Sequence, residues 1–319
     1  MGQHSNSKFL DTLKNQGIVL ALILVFAVFS ISSKQFFSQE NLLLIFKQVA
    51  TVGVMGAGMT YVIIGGNFDL SVGSLLSLGC VMCISLHESI GPVPAIFITL
   101  LVGMASGVIS GFLIGYLNLN SMIVTLGMMN ILQAFALIWT NGKYVQLSDS
   151  NVWFTKIGNG SLGVVPISTI VMLFCIIVFA VFLKKSVYGH QLMSVGSNRE
   201  TCRYSGINDK KVILKSFVIS GLTTAIGAVL LCSRGRAAQS TIGESYEFDV
   251  ISAVILGGAS LLGGKGSVFR TFVGVLILGV LKNGFVIVGL PYYLQWIAQC
   301  LVILAAVYID ILSSRRRAK

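Results

Sequence analysis

Residues 61–78 read YVIIGGNFDLSVGSLLSL and place a carboxylate between two apolar runs. The first run stops at Gly65 and Gly66, and the second begins directly after Asp69. Glycine breaks helices, and an Asp side chain can accept hydrogen bonds from the free N–H groups at a helix start. The stretch therefore predicts that one helix ends at the glycines and that Asp69 caps the next, which starts at Leu70.

The composition around this stretch is that of a membrane protein. The chain has 319 residues, of which 55% are hydrophobic and 10% are charged. Soluble domains carry about 25% charged residues. The formal net charge is +11, but most Lys and Arg residues lie in short hydrophilic gaps between apolar runs. That placement marks membrane topology and argues against a nucleic-acid partner.

Apolar windows of about 20 residues predict ten membrane spans. These spans cover 17–33, 48–65, 70–86, 92–117, 121–140, 164–183, 212–232, 250–262, 267–290 and 293–312. The third span begins at the Asp69 turn, and the eighth is short enough to be a half-helix or re-entrant segment. The expected fold class is an all-α, polytopic transmembrane helical bundle of about ten spans with broken or re-entrant helices.

The distribution of basic residues predicts the orientation. With a cytoplasmic N-terminus, 15 of the 22 Lys and Arg residues fall inside and 6 outside, while Lys282 remains within a span. The positive-inside rule then places both termini in the cytoplasm. We expect a cytoplasmic tail at 1–16, a single transmembrane domain at 17–312 and a basic cytoplasmic tail at 313–319. The apolar run from residue 17 is long enough to remain as a first span, so no cleaved signal peptide is expected.

Glycine recurs every fourth residue through the fourth span. Small residues at this spacing form a smooth stripe against which another helix can pack closely. The stripe consists of Gly103, Gly107, Gly111 and Gly115. It fits packing within one subunit or a contact between two subunits.

The longest charged gap, 184–211, contains a predicted short cytoplasmic helix. Ser197-Asn198-Arg199-Glu200 has the pattern of a capping box, and Gly206 supplies a helix stop. A capped helix of about two turns has the shape to dock into a groove on another protein. It also fits a simple interfacial loop.

The chain lacks the motifs of an enzyme. ASLLGGKGS at 259–267 resembles a P-loop but has Ala259 in place of its first glycine and Gly266 in place of the metal-binding Ser or Thr. The pair Cys80 and Cys83 has CxxC spacing but lies inside a span without polar company. No metal site, cofactor or catalytic residue is expected.

Acidic residues near span boundaries are candidates for the transport path. An ionisable residue at membrane depth is a functional candidate, although Asp69 could act only as a cap. A second acidic stretch, ESYEFDVISAVILGGASLLGGKGS at 244–267, again precedes a short apolar run. Broken helices in corresponding positions can mark a transport path. The hypothetical path residues are Asp69, Ser71, Ser74, Tyr246 and Asp249. Lys282 lies within its span, where its side chain could reach outward to the headgroups.

Four motifs in order resemble a known family. GGNFDLSVGSLLSLG, SVGSNRETCRYSGIN, ESYEFDVISAVILGGASLLGGKGS and LKNGFVIVGLPYYLQ are similar to successive motifs of ribose-type ABC-importer permeases, over roughly residues 40–312. These permeases are the membrane subunits of ribose, xylose, arabinose and galactose systems. The resemblance implies import of a monosaccharide into a bacterial cell by alternating access, across the plasma (inner) membrane.

The resemblance also implies partners. A second permease subunit, expected to be a copy of this chain, would form a dimer with it. A cytoplasmic ATPase would hydrolyse ATP, and an extracytoplasmic binding protein would deliver the sugar. The coupling residues would be Ser197, Asn198, Arg199, Glu200, Arg203 and Gly206. The alternative is an ion-coupled secondary sugar transporter, which would need a carboxylate pair at the midplane.

Several positions depart from the family pattern. Asn67 and Phe68 stand where Gly-Ile is frequent, Ser240 replaces a common Pro, Ser245 a common Gly and Lys282 a common Asn. Residues that line the path could differ with the sugar. The motifs therefore favour a sugar without naming which one.

Overall fold

The computed structural model describes residues 3–148, 152–291, 293–298, 300, 301 and 304, with side chains from residue 17 onward. Most of the predicted last span, 293–312, and the predicted basic tail, 313–319, lie outside the described residues. The described part is almost entirely helical. Its transmembrane bundle agrees with the predicted fold class.

Most of the described chain belongs to α-helices, which follow one another along the sequence. They are α1 (Gln3–Ser32), α2 (Gln39–Ile64), α3 (Val72–Ile90), α4 (Pro92–Gly115), α5 (Ser121–Thr140), α6 (Val152–Asn159), α7 (Ile167–Lys185), α8 (Val187–Ser197), α9 (Arg199–Tyr204), α10 (Asp209–Gly235), α11 (Tyr246–Leu256) and α12 (Val268–Ile287). Short strands form two antiparallel pairs. These strands are β1 (Val145–Gln146), β2 (Ser161–Leu162), β3 (Val165–Pro166) and β4 (Ala237–Ala238), with β1 paired to β4 and β2 to β3.

Among the described residues, seven helices are long and apolar enough to cross a membrane. They are α2, α3, α4, α5, α7, α10 and α12, and the segment Gly17–Ser32 of α1 is a shorter apolar helix. The described residues therefore do not confirm the ten-span count, since most of the predicted tenth span lies outside them. The eighth predicted span is wrong at its boundaries, because α11 occupies Tyr246–Leu256 and has 11 residues. At 1.5 Å per residue it is about 16 Å long, roughly half the hydrocarbon thickness.

The glycine stripe of α4 packs against α10 of the same chain. A Cβ atom added to Gly107 would lie 2.8 Å from the Val218 Cα, and one added to Gly111 would lie 2.8 Å from the Leu214 Cα. Cβ atoms at Gly103 and Gly115 would likewise meet α10 backbone. The two helices run so close that only hydrogen fits at these positions, and they form one tightly packed pair.

Helix α3 begins beside the middle of this pair. α2 ends at Ile64, and the chain then runs through 65–71 without helical structure before α3 starts. Within that segment Asp69 contacts Ser220, which lies close to the centre of α10. Segment 65–71 therefore carries the chain from the end of one helix to the middle of the bundle.

The bundle has two ends, which we name by their short helices. At the α6 end, the Lys47 ammonium donates to the Asn159 side chain over 2.8 Å, and Arg234 donates to the Lys47 carbonyl over 3.2 Å. At the α9 end lie α8, α9 and the link between α11 and α12. The predicted topology places the α9 end in the cytoplasm.

Candidate functional site

The Asp69 carboxylate joins three parts of the bundle. It is 3% exposed and accepts hydrogen bonds from the Ser71 backbone N–H (3.1 Å), the Ser71 hydroxyl (2.6 Å) and the Ser220 hydroxyl (2.9 Å). One oxygen thus holds the turn before α3, and the other holds α10. Because every bond is made by a buried group, the carboxylate fixes the start of α3 against the centre of α10.

Asp69 lies three residues before α3, which starts at Val72, and so it does not cap a helix that starts at Leu70 as predicted. The N-cap position of α3 is Ser71, whose side chain makes no capping hydrogen bond. The carboxylate instead bonds the N–H two residues ahead, which is an Asx-type turn. Ser74 lies in the first turn of α3 and is also buried, with 8% exposure.

The starts of α3 and α11 meet inside the bundle. The Gly243 N–H donates to the Ser77 hydroxyl over 2.8 Å, and a Cβ added to Gly73 would collide with the Glu247 carboxylate. The two acidic stretches noted in the sequence therefore lie side by side. Both helices begin inside the bundle, and α11 is only half-length. Broken helices that begin at membrane depth are found at the binding sites of many transporters.

Tyr246 and Asp249 lie on the first turn of α11, and neither donates a hydrogen bond to the Asp69 carboxylate. Tyr246 is half-buried, and Asp249 forms an ion pair with Lys282 of α12 at 2.5 Å. Lys282 is the charged residue within the ninth predicted span, and this ion pair gives it a partner. The Lys282 ammonium reaches a carboxylate on the neighbouring helix, where it neutralises a charge near the α6 end.

Lys282 also borders a polar cleft. The cleft has a volume of about 620 Å³ and lies between the α1–α2 link and the last turns of α12. Beside it, the side-chain amides of Asn41 and Asn283 exchange hydrogen bonds of 3.0 and 2.9 Å. Glu40 and Gln48 complete one wall. The α6 end thus offers a hydrophilic opening next to an apolar bundle.

At the opposite end, α9 is short and displayed to solvent. Its N-cap is Asn198, whose side chain accepts a 3.0 Å hydrogen bond from the Thr201 N–H. The predicted capping box at Ser197 is therefore displaced by one residue, because Ser197 ends α8 and its hydroxyl donates to the Met193 carbonyl. Asn caps as well as Ser does, and the sequence offered both in succession.

The end of α9 follows the prediction at Gly206. This glycine has φ +78°, and the Ile207 N–H donates to the Cys202 carbonyl over 3.0 Å. These features are those of a glycine-terminated helix. Tyr204 on this helix is 93% exposed, whereas Cys202 faces inward. The helix thus presents an aromatic side chain outward from a fixed base.

Asp209 braces α9 against α10. Its carboxylate receives Arg203 through Nε at 3.0 Å and Nη2 at 2.9 Å, and Arg199 Nε lies 3.1 Å away. The hydrogen bonds and charge of Asp209 raise the pKa of Arg203, while burial lowers the pKa of Arg199. Both guanidiniums stay charged at neutral pH. Glu200 remains exposed on the outer face of the helix.

The segment that carries α9 contacts the end of α2 directly. The Gly264 N–H donates to the Ile64 carbonyl over 2.8 Å, and a Cβ on Gly264 would lie 3.0 Å from the Ser197 Cα. Gly196 also packs on the Ile64 carbonyl. α8, the α11–α12 link and α2 therefore meet at one point, five residues before Asp69.

Sequence reasoning missed two partners that organise these sites. Ser220 holds Asp69 from 151 positions away, and Asp209 holds α9 through Arg203, six positions before it. No local pattern distinguishes Ser220 from the other hydroxyl residues of α10. The sequence marks Asp209 only as an acidic residue at the start of a helix and does not reveal its contact with α9.

Among the described residues, no group of three or more His, Cys, Asp or Glu side chains is placed to hold a metal ion. The buried Cys80 thiol instead donates to the Ala228 carbonyl at 3.4 Å. The fold and sites define a multi-pass membrane protein with broken elements at its centre and a braced helix displayed at one end.

Comparison with known proteins gives the family. Residues 41–307 match the model of the family described as branched-chain amino acid transport system / permease component. The ribose import permease of Haemophilus influenzae is 36% identical, over 96% of this chain and 96% of the relative. The ribose import permease of Bacillus subtilis is 34% identical, over 95% and 94%. The L-arabinose ABC transporter permease of Azospirillum brasilense is 32% identical, over 93% and 88%.

The chain therefore belongs to this permease family and, within it, to the ribose-type ABC-importer permeases that its motifs predicted. No solved structure matches the chain.

Proposed function

We propose that the chain is the membrane subunit of an ATP-driven importer that carries a monosaccharide into a bacterial cell. The relatives named for ribose and arabinose import support the sugar, since they align over nearly the whole chain. The structural observation that carries the proposal is α9, a displayed helix braced by Asp209. Such a helix suits docking on a separate ATPase. The second permease subunit, the ATPase and the external binding protein are the expected partners.

The contacts of α9 suggest how ATP hydrolysis reaches the path. A push on α9 passes to α8 and to the junction of Ile64 with Gly264. From Ile64 the chain leads directly into segment 65–71, whose Asp69 is tied to Ser220. A shift of α9 would therefore reposition the start of α3 relative to α10. This route is one of contiguous packing, and coupling along it is open to direct test.

The path itself would lie where α3 and α11 begin inside the bundle. Ser71 and Ser74 lie at the start of α3 and Tyr246 at the start of α11, and small hydroxyl groups there would hold a sugar weakly enough to release it. Asp69 would shape the path by positioning α3 rather than by touching sugar. Asp249 and Lys282 would act at the α6 end, as a neutral pair beside the polar cleft.

The topology and domain boundaries belong to the same proposal. The α9 end, with segment 184–211 and both termini, would face the cytoplasm of the plasma (inner) membrane. Residues 17–312 would act as one transmembrane domain between the tails 1–16 and 313–319. The basic residues that cluster at the α9 end support this orientation.

Uptake into proteoliposomes tests the function. The purified chain would be reconstituted with the ATPase and binding protein encoded beside it, and uptake of radiolabelled ribose, arabinose, xylose and galactose would be measured. We expect uptake only with ATP and both partners. Leucine serves as competitor, because the family description names branched-chain amino acids. Uptake by the chain alone, driven by an ion gradient, would support the secondary transporter instead.

Replacing Tyr204 should uncouple the ATPase from the path. The side chain is 93% exposed on α9, so Tyr204→Ala should leave the fold intact while removing an aromatic contact to the partner. We expect ATP-driven uptake to fall at least about tenfold, as loss of a single hot spot of about 2 kcal/mol implies. Co-purification of the ATPase with the chain measures the contact.

The matched control is Leu162→Ala, which removes a 72% exposed side chain at the α6 end. This variant should retain both uptake and ATPase co-purification. Equal behaviour of the Tyr204 and Leu162 variants would argue against α9 as the docking helix.

A further inference from the structure

We propose that Asn130 of α5 lines the water-filled sugar path and hydrogen-bonds the sugar as it passes. This assignment rests on the proposed function and names a residue of its path. Asn130 lies near the middle of α5, one of the seven helices long enough to cross a membrane, and its side chain is exposed. Its Nδ2 group donates to the Leu126 carbonyl over 3.1 Å, which leaves amide groups free to meet a ligand.

The neighbouring helices α4 and α10 bury polar side chains that α5 would expose. α4 buries Ser106 and Ser110, and α10 buries Ser220 and Thr223. α5 instead turns the Asn130 amide outward. The Leu126 carbonyl satisfies one N–H of this amide, and the groups that remain would cost several kcal/mol if they faced hydrocarbon. Leu126 and Ala134, one turn to either side, are exposed and apolar, so water or polar ligand is expected at the amide itself rather than along the whole face of α5.

The position of α5 beside α3 gives this face its role. Ser121, the first residue of α5, accepts a 3.3 Å hydrogen bond from the Phe68 N–H, next to Asp69. Gln133, one turn after Asn130, donates to the Ser240 carbonyl over 2.7 Å. α5 thus contacts both segments that lead into α3 and α11. The Asn130 amide lies on the helix that borders both of them.

Space is available around the amide. A Cβ added to Gly127, one turn before Asn130, would meet nothing within 4 Å. A carboxamide offers both donors and an acceptor, which suits the hydroxyl groups of a monosaccharide. It carries no charge, so a single hydrogen bond would hold the sugar only briefly. A site of this kind favours passage over tight binding.

Water access tests the assignment. Cysteine would be introduced as Asn130→Cys in a Cys300→Ser background, because Cys300 is exposed whereas the other five cysteines are buried. The full chain with its partners, in membrane vesicles, would be treated with a charged, membrane-impermeant thiosulfonate. We expect rapid labelling at position 130, slowed by transported sugar with its binding protein. The control is Phe174→Cys on α7, which is 67% exposed and should react slowly.

Two outcomes would overturn the proposal. Labelling at 130 as slow as at 174 would place the amide against lipid. A disulfide-linked dimer at 130, formed in preference to labelling, would place it against a second copy. The labelling rate can be measured even in vesicles that transport no sugar, so it does not depend on the proposed function. Failure of the proposed function would appear as wild-type vesicles that move no sugar, even where position 130 is accessible.

Transport kinetics separate a sugar contact from a structural role. Asn130→Ala should raise the sugar-loaded binding protein concentration for half-maximal uptake about three- to tenfold, the effect of one lost hydrogen bond of about 1 kcal/mol. Asn130→Ser, which keeps a hydroxyl, should restore most of it. Abundance should be unchanged in both. A loss of abundance without a change in that concentration would contradict the sugar contact.

Discussion

Gly107→Val should abolish accumulation of the folded permease. The α4 and α10 backbones approach so closely at Gly107 that a Cβ would meet the Phe217 carbonyl oxygen and lie 2.8 Å from the Val218 Cα. Both obstacles are main-chain atoms of a helix and cannot move aside as a side chain would. Overpacking usually costs about 1–3 kcal/mol, and a clash between two helix backbones should exceed that range.

The measurement is abundance in membranes together with thermal stability of the detergent-purified chain. Gly127→Val is the matched control, since this glycine lies in α5 with nothing within 4 Å of its Cβ position. The control should accumulate at the wild-type level. Equal abundance of the two variants would mean that α4 and α10 do not pack as closely as described here.

The four-residue glycine spacing is an example of what the sequence predicts well. Small residues at one helical face forecast a close helix contact from local information alone. The apolar runs likewise forecast the long helices, because membrane thickness fixes their length. The partner of the stripe was not predictable. Gly107 could have met α10 or a second subunit, and only the three-dimensional arrangement separates these cases.

The boundaries of short elements were harder to predict. Ser197 and Asn198 are adjacent residues that can both cap a helix, and the structure uses the second. The apolar stretch at 250–262 suggested a span that starts later than α11 does, because Tyr246 and Glu247 are polar and yet helical. A hydropathy window detects only the apolar run, whereas the helix also includes the acidic turn that precedes it.

Asp69 shows why site roles need long-range contacts. The sequence identified Asp69 as an acidic residue between two apolar runs. It left open whether Asp69 caps a helix or lines the transport path. The bond to Ser220, which lies 151 positions away, assigns its carboxylate to bracing. Whether α3 then frames the sugar path stays a prediction, and the variants of Asp69 are its strongest test.

Asp69→Ala should reduce sugar uptake to background and lower abundance. The change removes one acceptor group that receives three hydrogen bonds, and it leaves the Ser71 N–H, the Ser71 hydroxyl and the Ser220 hydroxyl unpaired. Each buried unpaired group costs about 1–3 kcal/mol. The start of α3 would detach from α10, so the loss should exceed that of Ser220→Ala, which removes a single bond. Uptake at matched expression and abundance in membranes measure the effect.

Asp69→Asn separates hydrogen bonding from charge. Asn keeps one carbonyl oxygen for Ser71 and can donate to the Ser220 oxygen, so the variant preserves the shape of the turn without the negative charge. If bracing is the role of Asp69, Asn should restore abundance and most of the uptake, because neither bond needs the charge. Restored abundance without uptake would instead make the charge part of transport. Wild-type uptake by the Ala variant at matched expression would remove Asp69 from both roles, and the contact between α3 and α10 would then have to rest on packing alone.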